Sequence, residues 1–198
     1  MTQQTIYLVR HGETVWNRER RLQGQQDSPL TDKGREQARR VGLLLRELID
    51  NPEQYPIHAS PLARTRDTAA IVSRALGLEP DGLLVDDLLK EIRFGAWEGM
   101  TFDEVAAADP DNWRRFREDR WNFVPPDGES YAIMAQRSRR WLSGISAQPS
   151  AIAVAHGEFG RVLRGTYSGL SPDDMFSMDV PQDAIFRLSG GTVARIET

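Results

Sequence analysis

Along this chain, short apolar runs alternate with longer stretches whose apolar residues recur every three or four positions. Thr5 to Val9 is a strand-like apolar run of the kind buried in parallel sheets, and it stops abruptly at Arg10-His11-Gly12. Glu13 to Ser28 is polar and arginine-rich without a clean period, which predicts a loop or short helix over the sheet edge. Thr31 then caps a helix with Asp32 in its first turn; Ala38, Val41, Leu45 and Leu48 form its apolar stripe, and Pro52 and Pro56 end it. Ile57 to Ser60 is a second short strand. Pro61 opens a second helix, with Ala69, Val72 and Leu76 facing inward and Gly77 as its stop. Strand, helix, strand, helix predicts a parallel, doubly wound sheet.

The rhythm breaks between Leu83 and Ser130. Leu83-Leu84-Val85 reads as one more strand, Thr101-Phe102-Asp103-Glu104 as a capping box opening a short helix, and Asp109-Pro110 as the start of another. Residues from about 90 to 130 are read as a lid-like insertion over the carboxyl ends of the strands. Its aromatics (Trp97, Phe102, Trp113, Phe116, Trp121, Phe123) are assigned to packing rather than to a pocket. Ser130 caps a further helix with Tyr131, Met134, Ser138, Leu142 and Ile145 inward, and Ala151 to Ala155 is a strand followed by a helix from about Gly160 to Ser168. Ser171 starts a shorter helix, and Ser189-Gly190-Gly191 joins a terminal hairpin. Residues 1–198 are read as one domain, with no internal repeat or linker.

Composition narrows the classes. The chain has 198 residues, 39% hydrophobic and 27% charged, with a formal net charge of −4, which gives no reason to expect nucleic acid as a partner. With no cysteine, disulfides, thiol nucleophiles and thiolate-bound zinc are excluded. No apolar run reaches membrane-spanning length and Met1 to Gln4 lacks a signal-peptide pattern, so no membrane partner and a cytoplasmic location are expected. A homodimer is left open.

Three histidines occur, and two of them, His11 and His156, end apolar strands in His-Gly. Ligands of open α/β sheets bind at such strand ends. Arg10 and Arg64 fall where a strand gives way to loop or helix, and guanidinium forks suit phosphate. Arginines nearby disfavour imidazolium, so His11 is expected to stay neutral and able to attack phosphorus, with His156 donating to the equatorial oxygens. Glu91 is the candidate acid for the leaving alcohol and base for water. His58, inside a strand, is read as a packed histidine. The histidines lack metal-ligand spacing, and neither a G-x-x-x-x-G-K-[ST] loop nor a strand-linked G-x-G-x-x-G is present.

The string Arg10-His11-Gly12-Glu13-Thr14 with Asn17 resembles the signature of the histidine phosphatase superfamily, the phosphoglycerate mutase-like proteins. The resemblance continues through Gln23-Gly24, Asp27 to Thr31, Ser60-Pro61-Leu62-Ala63-Arg64-Thr65, Glu91, Phe94 to Gly99, Gly128-Glu129-Ser130, His156-Gly157 and Arg161. It implies a three-layer α/β/α sandwich around a mostly parallel sheet, with His11 as the phosphorylated nucleophile. Arg10, Asn17, Arg64 and His156 would bind phosphate, Glu91 would be the acid/base, the Gly24 backbone would lie near substrate, and neither metal nor cofactor would be needed. Two departures stand out: Glu158-Phe159 where the family commonly has a further glycine, with Glu158 expected to point outward, and Pro181-Gln182-Asp183-Ala184 where many relatives carry an asparagine.

The expected activity is a metal-independent phosphomonoesterase acting on a small phosphorylated metabolite such as a sugar phosphate, because the short Glu91 block with Trp97-Glu98-Gly99 resembles the phosphatase-type branch. A phosphoglycerate mutase is the alternative, although the basic insertion typical of those mutases is absent after Glu91. A non-catalytic phosphate-binding module is the third reading.

Overall fold

The computed structural model describes residues 4–197; Met1 to Gln3, part of the stretch read above for a leader pattern, and Thr198 lie outside them. The strands are β1 (Thr5–Arg10), β2 (Ile57–Ala59), β3 (Leu84–Val85), β4 (Ser150–Ala155), β5 (Ala184–Ser189) and β6 (Thr192–Glu197). They form one sheet in the order β3-β2-β4-β1-β5-β6. β1, β2, β3 and β4 run parallel, and β5 and β6 return antiparallel through the predicted hairpin. Gly190 and Gly191, at φ +61° and +74°, supply the left-handed pair that a tight hairpin turn requires.

The sheet is covered on both faces. Ile6 and Leu8 of β1 and Ala151, Ala153 and Ala155 of β4 face one core, and Tyr7, Val9, Ile152 and Val154 face the other, as the period of two demands. The first core is closed by α6 (Tyr131–Gly144) and α7 (Gly157–Ser168), the second by α2 (Asp32–Leu48) and α3 (Ala63–Ala75). α7 lies against this face: a Cβ on its Gly160 would reach Leu8 at an ordinary 3.6 Å. Each aliphatic side chain fully buried in these layers contributes about 1.5–3 kcal/mol relative to exposure. The three-layer α/β/α expectation holds.

Chain direction places the site. β1 leads to α2 on one face, whereas its neighbour β4 leads to α7 on the other. Adjacent strands whose continuations diverge in this way leave a crevice at their carboxyl ends. Side-chain caps fix the helix starts: Thr31 Oγ1 accepts from Gly34 N at 3.0 Å and Ser130 Oγ from Ile133 N at 3.2 Å.

Several sequence expectations shift. Leu48 is 38% exposed, and it is Trp141, at 1%, that faces inward on α6, with Leu142 half-buried. A stripe drawn from spacing alone misplaces residues at the edge of a helix face. His58 packs edge-on against Trp141, and its Nε2 lies 3.0 Å from Gln148 Oε1. The largest correction is the start of α7, which is Gly157 rather than Gly160. Glycines 157 and 160 have poor intrinsic helix propensity, but the surrounding core overrides it.

The stretch from 90 to 130 carries α4 (Phe102–Ala108) and α5 (Pro110–Glu118). Trp97, 2% exposed, is its hub: it stacks on Phe123, meets Trp113 and Phe116 edge-on, and donates Nε1–H to Asp109 Oδ2 at 3.1 Å. This is packing, as expected, although Phe102 is left 42% exposed. Leu22 N donates to Met100 O and Gly99 N to Leu22 O, at 2.8 and 2.7 Å, which ties the stretch to the loop after α1 (Val15–Arg18). No helix among the described residues is long and apolar enough to cross a membrane.

Candidate active site

His11 and His156 follow directly on the last residues of neighbouring parallel strands, Arg10 and Ala155, which are register partners. His11 N donates to Ala155 O at 3.0 Å, and Ser60, just past β2, donates its N–H to Val154 O at 3.2 Å. The sheet ladder thus delivers three side chains to one edge, with the His11 and His156 ring centres 5.3 Å apart. Behind His11 the chain must turn under α2: a Cβ on Gly12 would lie 2.1 Å from Gly34 O, and one on Gly34 2.1 Å from Glu13 O. Neither position has room for a side chain.

The tautomer of His11 follows from its partner. Nδ1 lies 2.8 Å from Gly12 O, and a carbonyl can only accept, so Nδ1 carries the hydrogen and Nε2 keeps its lone pair. Burial, then Arg64 and Arg10, push the pKa of this ring well below its ordinary value, which keeps it neutral. Burial likewise lowers that of His156, helped by Arg64 and His11. Its Nε2 lies 2.8 Å from Ser60 Oγ, which also accepts from Leu62 N. With the Ser60 hydroxyl donating to Nε2, His156 bears its hydrogen on Nδ1, an atom without a partner among the described residues.

Two guanidinium groups complete this floor. Arg64, 1% exposed, gives Nη1 to Gln26 O and Asp27 Oδ1, and Nη2 to Gly24 O at 2.7 Å. Arg10 donates to Val180 O, and a Cβ on Gly157 would come within 3.2 Å of its Cζ and Nε. Arg10 Nε and Arg64 Nε are buried N–H donors with no acceptor among the described residues, and His156 Nδ1 joins them when Ser60 donates to Nε2, an arrangement that suits an oxyanion. Asn17 Oδ1 accepts from Thr14 N and from Gln182 Nε2, at 3.2 and 2.9 Å, which leaves its NH2 for the cleft that it lines. That cleft, of about 140 Å³, is also walled by Arg10, His11, Gly24, Arg64 and Glu91. His156 lies just behind it, beside Arg10 and Gly157 around a small void.

Glu91 stands opposite the floor, held by the start of α7. Its Oε1 accepts from Phe159 N and Ile92 N at 2.8 and 3.0 Å, and Oε2 from Glu158 N at 3.1 Å. The orphan N–H groups of a helix N-terminus thus receive a carboxylate. Burial raises its pKa, Glu158 adds to the rise, and the Phe159 N–H and Arg64 oppose it. The resulting group holds a proton more readily than an ordinary carboxylate while keeping three donors ready for the ionised form. Arg137 of α6 fixes the approach to it by donating to Leu88 O, Lys90 O and Glu91 O and pairing with Glu129 at 2.6 Å.

All seven residues singled out from sequence therefore gather at one edge of the sheet. Gly24 does so at φ +52°, with its carbonyl on Arg64 and the Glu98 carboxylate filling the space a side chain would take. Glu158 does not point outward: its Oε2 accepts from Tyr131 Oη, Arg161 and Arg120 at 2.7, 3.2 and 3.3 Å, at the cleft wall. The arginines that bind it pull it inward. Gln182, in the stretch whose contact was in doubt, reaches both Asn17 and His11 O. Arg137, Ser60 and Gln182 received no role from sequence. Ser60 had a signal in the strand-end position it shares with His156, whereas Arg137 and Gln182 had none.

Comparison with known proteins agrees with this geometry. Residues 6–192 match the family described as the histidine phosphatase superfamily (branch 1). A protein of Erwinia tasmaniensis named "Probable phosphoglycerate mutase GpmB" is 40% identical over 169 residues, 83% of this chain and 75% of that protein. Among solved structures, Bacillus stearothermophilus YhfR superposes with a TM-score of 0.79 at 32% identity, covering 98% of this chain and 96% of its own. A mycobacterial glucosyl-3-phosphoglycerate phosphatase superposes with a TM-score of 0.78 at 27% identity, covering 98% and 97%. With its two strand-end histidines, its arginines and its buried glutamate in place, the chain belongs to the histidine phosphatase superfamily, whose members are phosphatases or mutases.

Proposed function

We propose that this chain is a metal-independent phosphomonoesterase that hydrolyses a small phosphorylated metabolite through a phosphohistidine on His11. The observation that carries the reading is the His11 ring, held neutral with its Nε2 lone pair free. Nε2 attacks phosphorus as the ester P–O bond breaks, Glu91 gives its proton to the departing alkoxide, and the free alcohol leaves. The Glu91 carboxylate then takes a proton from water, whose oxygen attacks the phosphohistidine. Breaking the N–P bond releases phosphate and restores both groups. Charge gathering on the phosphoryl oxygens is met by Arg10, Arg64, the Asn17 amide and His156 Nδ1–H. The stretch from 90 to 130 acts as a lid within a single domain.

The mutase reading draws on the name of the Erwinia relative. Against it, the sequence lacks a basic insertion after Glu91 that would retain a bisphosphate between half-reactions. The test is phosphate release from a phosphomonoester panel in chelator, comparing the parent with His11→Ala. Release that survives chelation and disappears in the variant, together with an acid-labile phosphoenzyme in the parent, is the expected result. Formation of 2-phosphoglycerate from 3-phosphoglycerate and catalytic bisphosphoglycerate, faster than phosphate appears, would overturn it in favour of the mutase.

A further inference from the structure

The hydrogen bonds of the sheet fix the Cα of Arg10, but its guanidinium lies several rotatable bonds beyond and needs a brace of its own. That brace is the carbonyl of Val180, which accepts from Nη1. Val180 belongs to the stretch 178–183, which links α8 (Pro172–Ser177) to β5 without regular structure. Backbone outside a ladder takes its position from the side chains that reach it. Asp179 O, one residue earlier, accepts from Arg164 Nη2. Consecutive carbonyls of one loop thus hold two guanidinium groups, and Arg10, Arg164 and Val180 share the small void beside His156.

Arg164 is only 4% exposed on α7. Its Cζ lies 3.8 Å from the centre of the Phe186 ring, and its Nε donates to Gly160 O at 3.3 Å. Burial lowers its pKa to about 10, so it stays charged at neutral pH. The carboxylate that pairs with it, Asp179, lies 3.9 Å away, is about half exposed and is closer to Arg195. Burying a cation on so loose a partner is costly, and an apolar side chain of similar length would fill the place without that cost. What the arginine supplies and an apolar residue could not is the bond to Asp179 O.

We infer that Arg164 is a positioning residue for the phosphate site: by holding Asp179 O it fixes the Val180 carbonyl, which keeps the Arg10 guanidinium aimed with Nε toward the phosphoryl group. The inference rests on the phosphate-binding part of the proposed function and adds a residue to it. Arg10 Nε is a buried donor without an acceptor among the described residues, so a small rotation of its fork removes a charge-assisted hydrogen bond from the bound anion. On its other side the fork lies against bare backbone, since a Cβ on Gly157 would come within 3.2 Å of Cζ. The Val180 carbonyl is therefore the polar contact that sets its angle.

The experiment measures the Kd of inorganic phosphate by phosphorus NMR titration, together with the urea midpoint. It uses the parent, Arg164→Met, Arg164→Lys, Arg10→Ala and the double variant of Arg10→Ala with Arg164→Met. Arg164→Met is expected to weaken phosphate about tenfold, the loss of one charge-assisted hydrogen bond. Its urea midpoint is expected to be no lower than the parent's, because an apolar side chain replaces a buried cation. In the Arg10→Ala background the same change is expected to weaken phosphate less than about twofold, since no fork remains to be aimed. Arg164→Lys keeps the charge but not the fork, and is expected to weaken phosphate at least about threefold. Unchanged affinity in folded Arg164→Met, an equal loss with and without Arg10, or full affinity in Arg164→Lys would overturn the inference; the last would mean that charge alone acts, at a distance. If Arg164→Met does not fold, Arg164→Lys decides by the same measure. The titration needs no turnover. A parent that binds phosphate but hydrolyses no ester loses the hydrolytic reading while the same ratios still decide on Arg164, whereas a parent that binds no phosphate overturns the positioning role.

Discussion

The floor of the cleft and the wall that faces it are built by different means. Arg10, His11, Ser60 and His156 lie within a residue of strand ends, and the hydrogen bonds of β1, β2 and β4 set their spacing. Glu91 belongs to no strand or α-helix: two of its three donors lie 67 and 68 residues further along the chain, and Arg137 braces it from 46 residues away. A floor made from a sheet ladder is rigid without help from its side chains. A wall made from tertiary hydrogen bonds and aromatic packing is only as stable as those contacts, and it is the part that can vary to suit a leaving group.

The sharpest way to separate the two is Glu91→Gln. An amide cannot give a proton to an alkoxide, and its NH2 would oppose one of the three N–H groups that now converge on the carboxylate. For alkyl phosphates kcat is expected to fall by about 10²–10⁴-fold, the usual contribution of a general acid. The alkaline decline of kcat should vanish with it, since the parent loses rate as pH rises through the raised Glu91 pKa and the acid form empties. With p-nitrophenyl phosphate, whose leaving group needs no proton, kcat/KM, which reports phosphorylation of His11 alone, should fall much less, while kcat still falls because Glu91 is also the base for water. Equal losses of kcat/KM on both esters would mean that Glu91 only shapes the wall.

The same division explains what could be read from the sequence. The floor was legible because a strand end is a local pattern: an apolar run, then Arg10-His11-Gly12, and again Ala155-His156-Gly157. Glu91 was located as the candidate acid and base, and the family resemblance points to the same residue. The way it is held was not legible. Placing the start of α7 at Gly160 hid the N–H groups of Glu158 and Phe159, and with them the reason a carboxylate sits there. Glu158 was expected to face outward because nothing local reveals that Arg120 and Tyr131, from other segments, will meet it. The floor follows from short-range periodicity and the wall from pairings between distant segments.

Removing the hub of the wall should damage stability more than phosphate binding. Trp97→Ala empties the space between Trp113, Phe116 and Phe123 and strips Asp109 of its indole donor. The expected cost is about 3–5 kcal/mol of unfolding free energy, measured by urea denaturation, as for other large aromatic deletions. Affinity for inorganic phosphate, read by calorimetry on the folded fraction, should stay close to that of the parent, because the ladder that sets the floor is untouched. A loss of phosphate binding as large as the loss of stability would show that floor and wall are one cooperative unit.

The smallest effect tests the floor itself through acid. His11 and His156 have pKa values held well below the ordinary 6.5 by burial and by the arginines. As pH falls below that ordinary value, the unfolded chain takes up protons that these rings refuse in the fold. Each histidine then removes up to about 1.4 kcal/mol of stability per pH unit until its own folded value is reached. Glu91 works the other way: its raised pKa means that the fold holds a proton the unfolded chain has released, so acid favours the fold as pH drops through that raised value. The bare slope of stability against pH mixes these contributions, and the informative quantity is its change on substitution. His11→Asn and His156→Asn should each flatten the slope of urea-unfolding free energy, measured downward from about pH 6.5, by close to one proton. If neither does, both rings are charged in the fold, and an imidazolium at His11 has no lone pair to offer. The floor would then bind phosphate but could not attack it, and the contrast with the wall would become one between two binding surfaces.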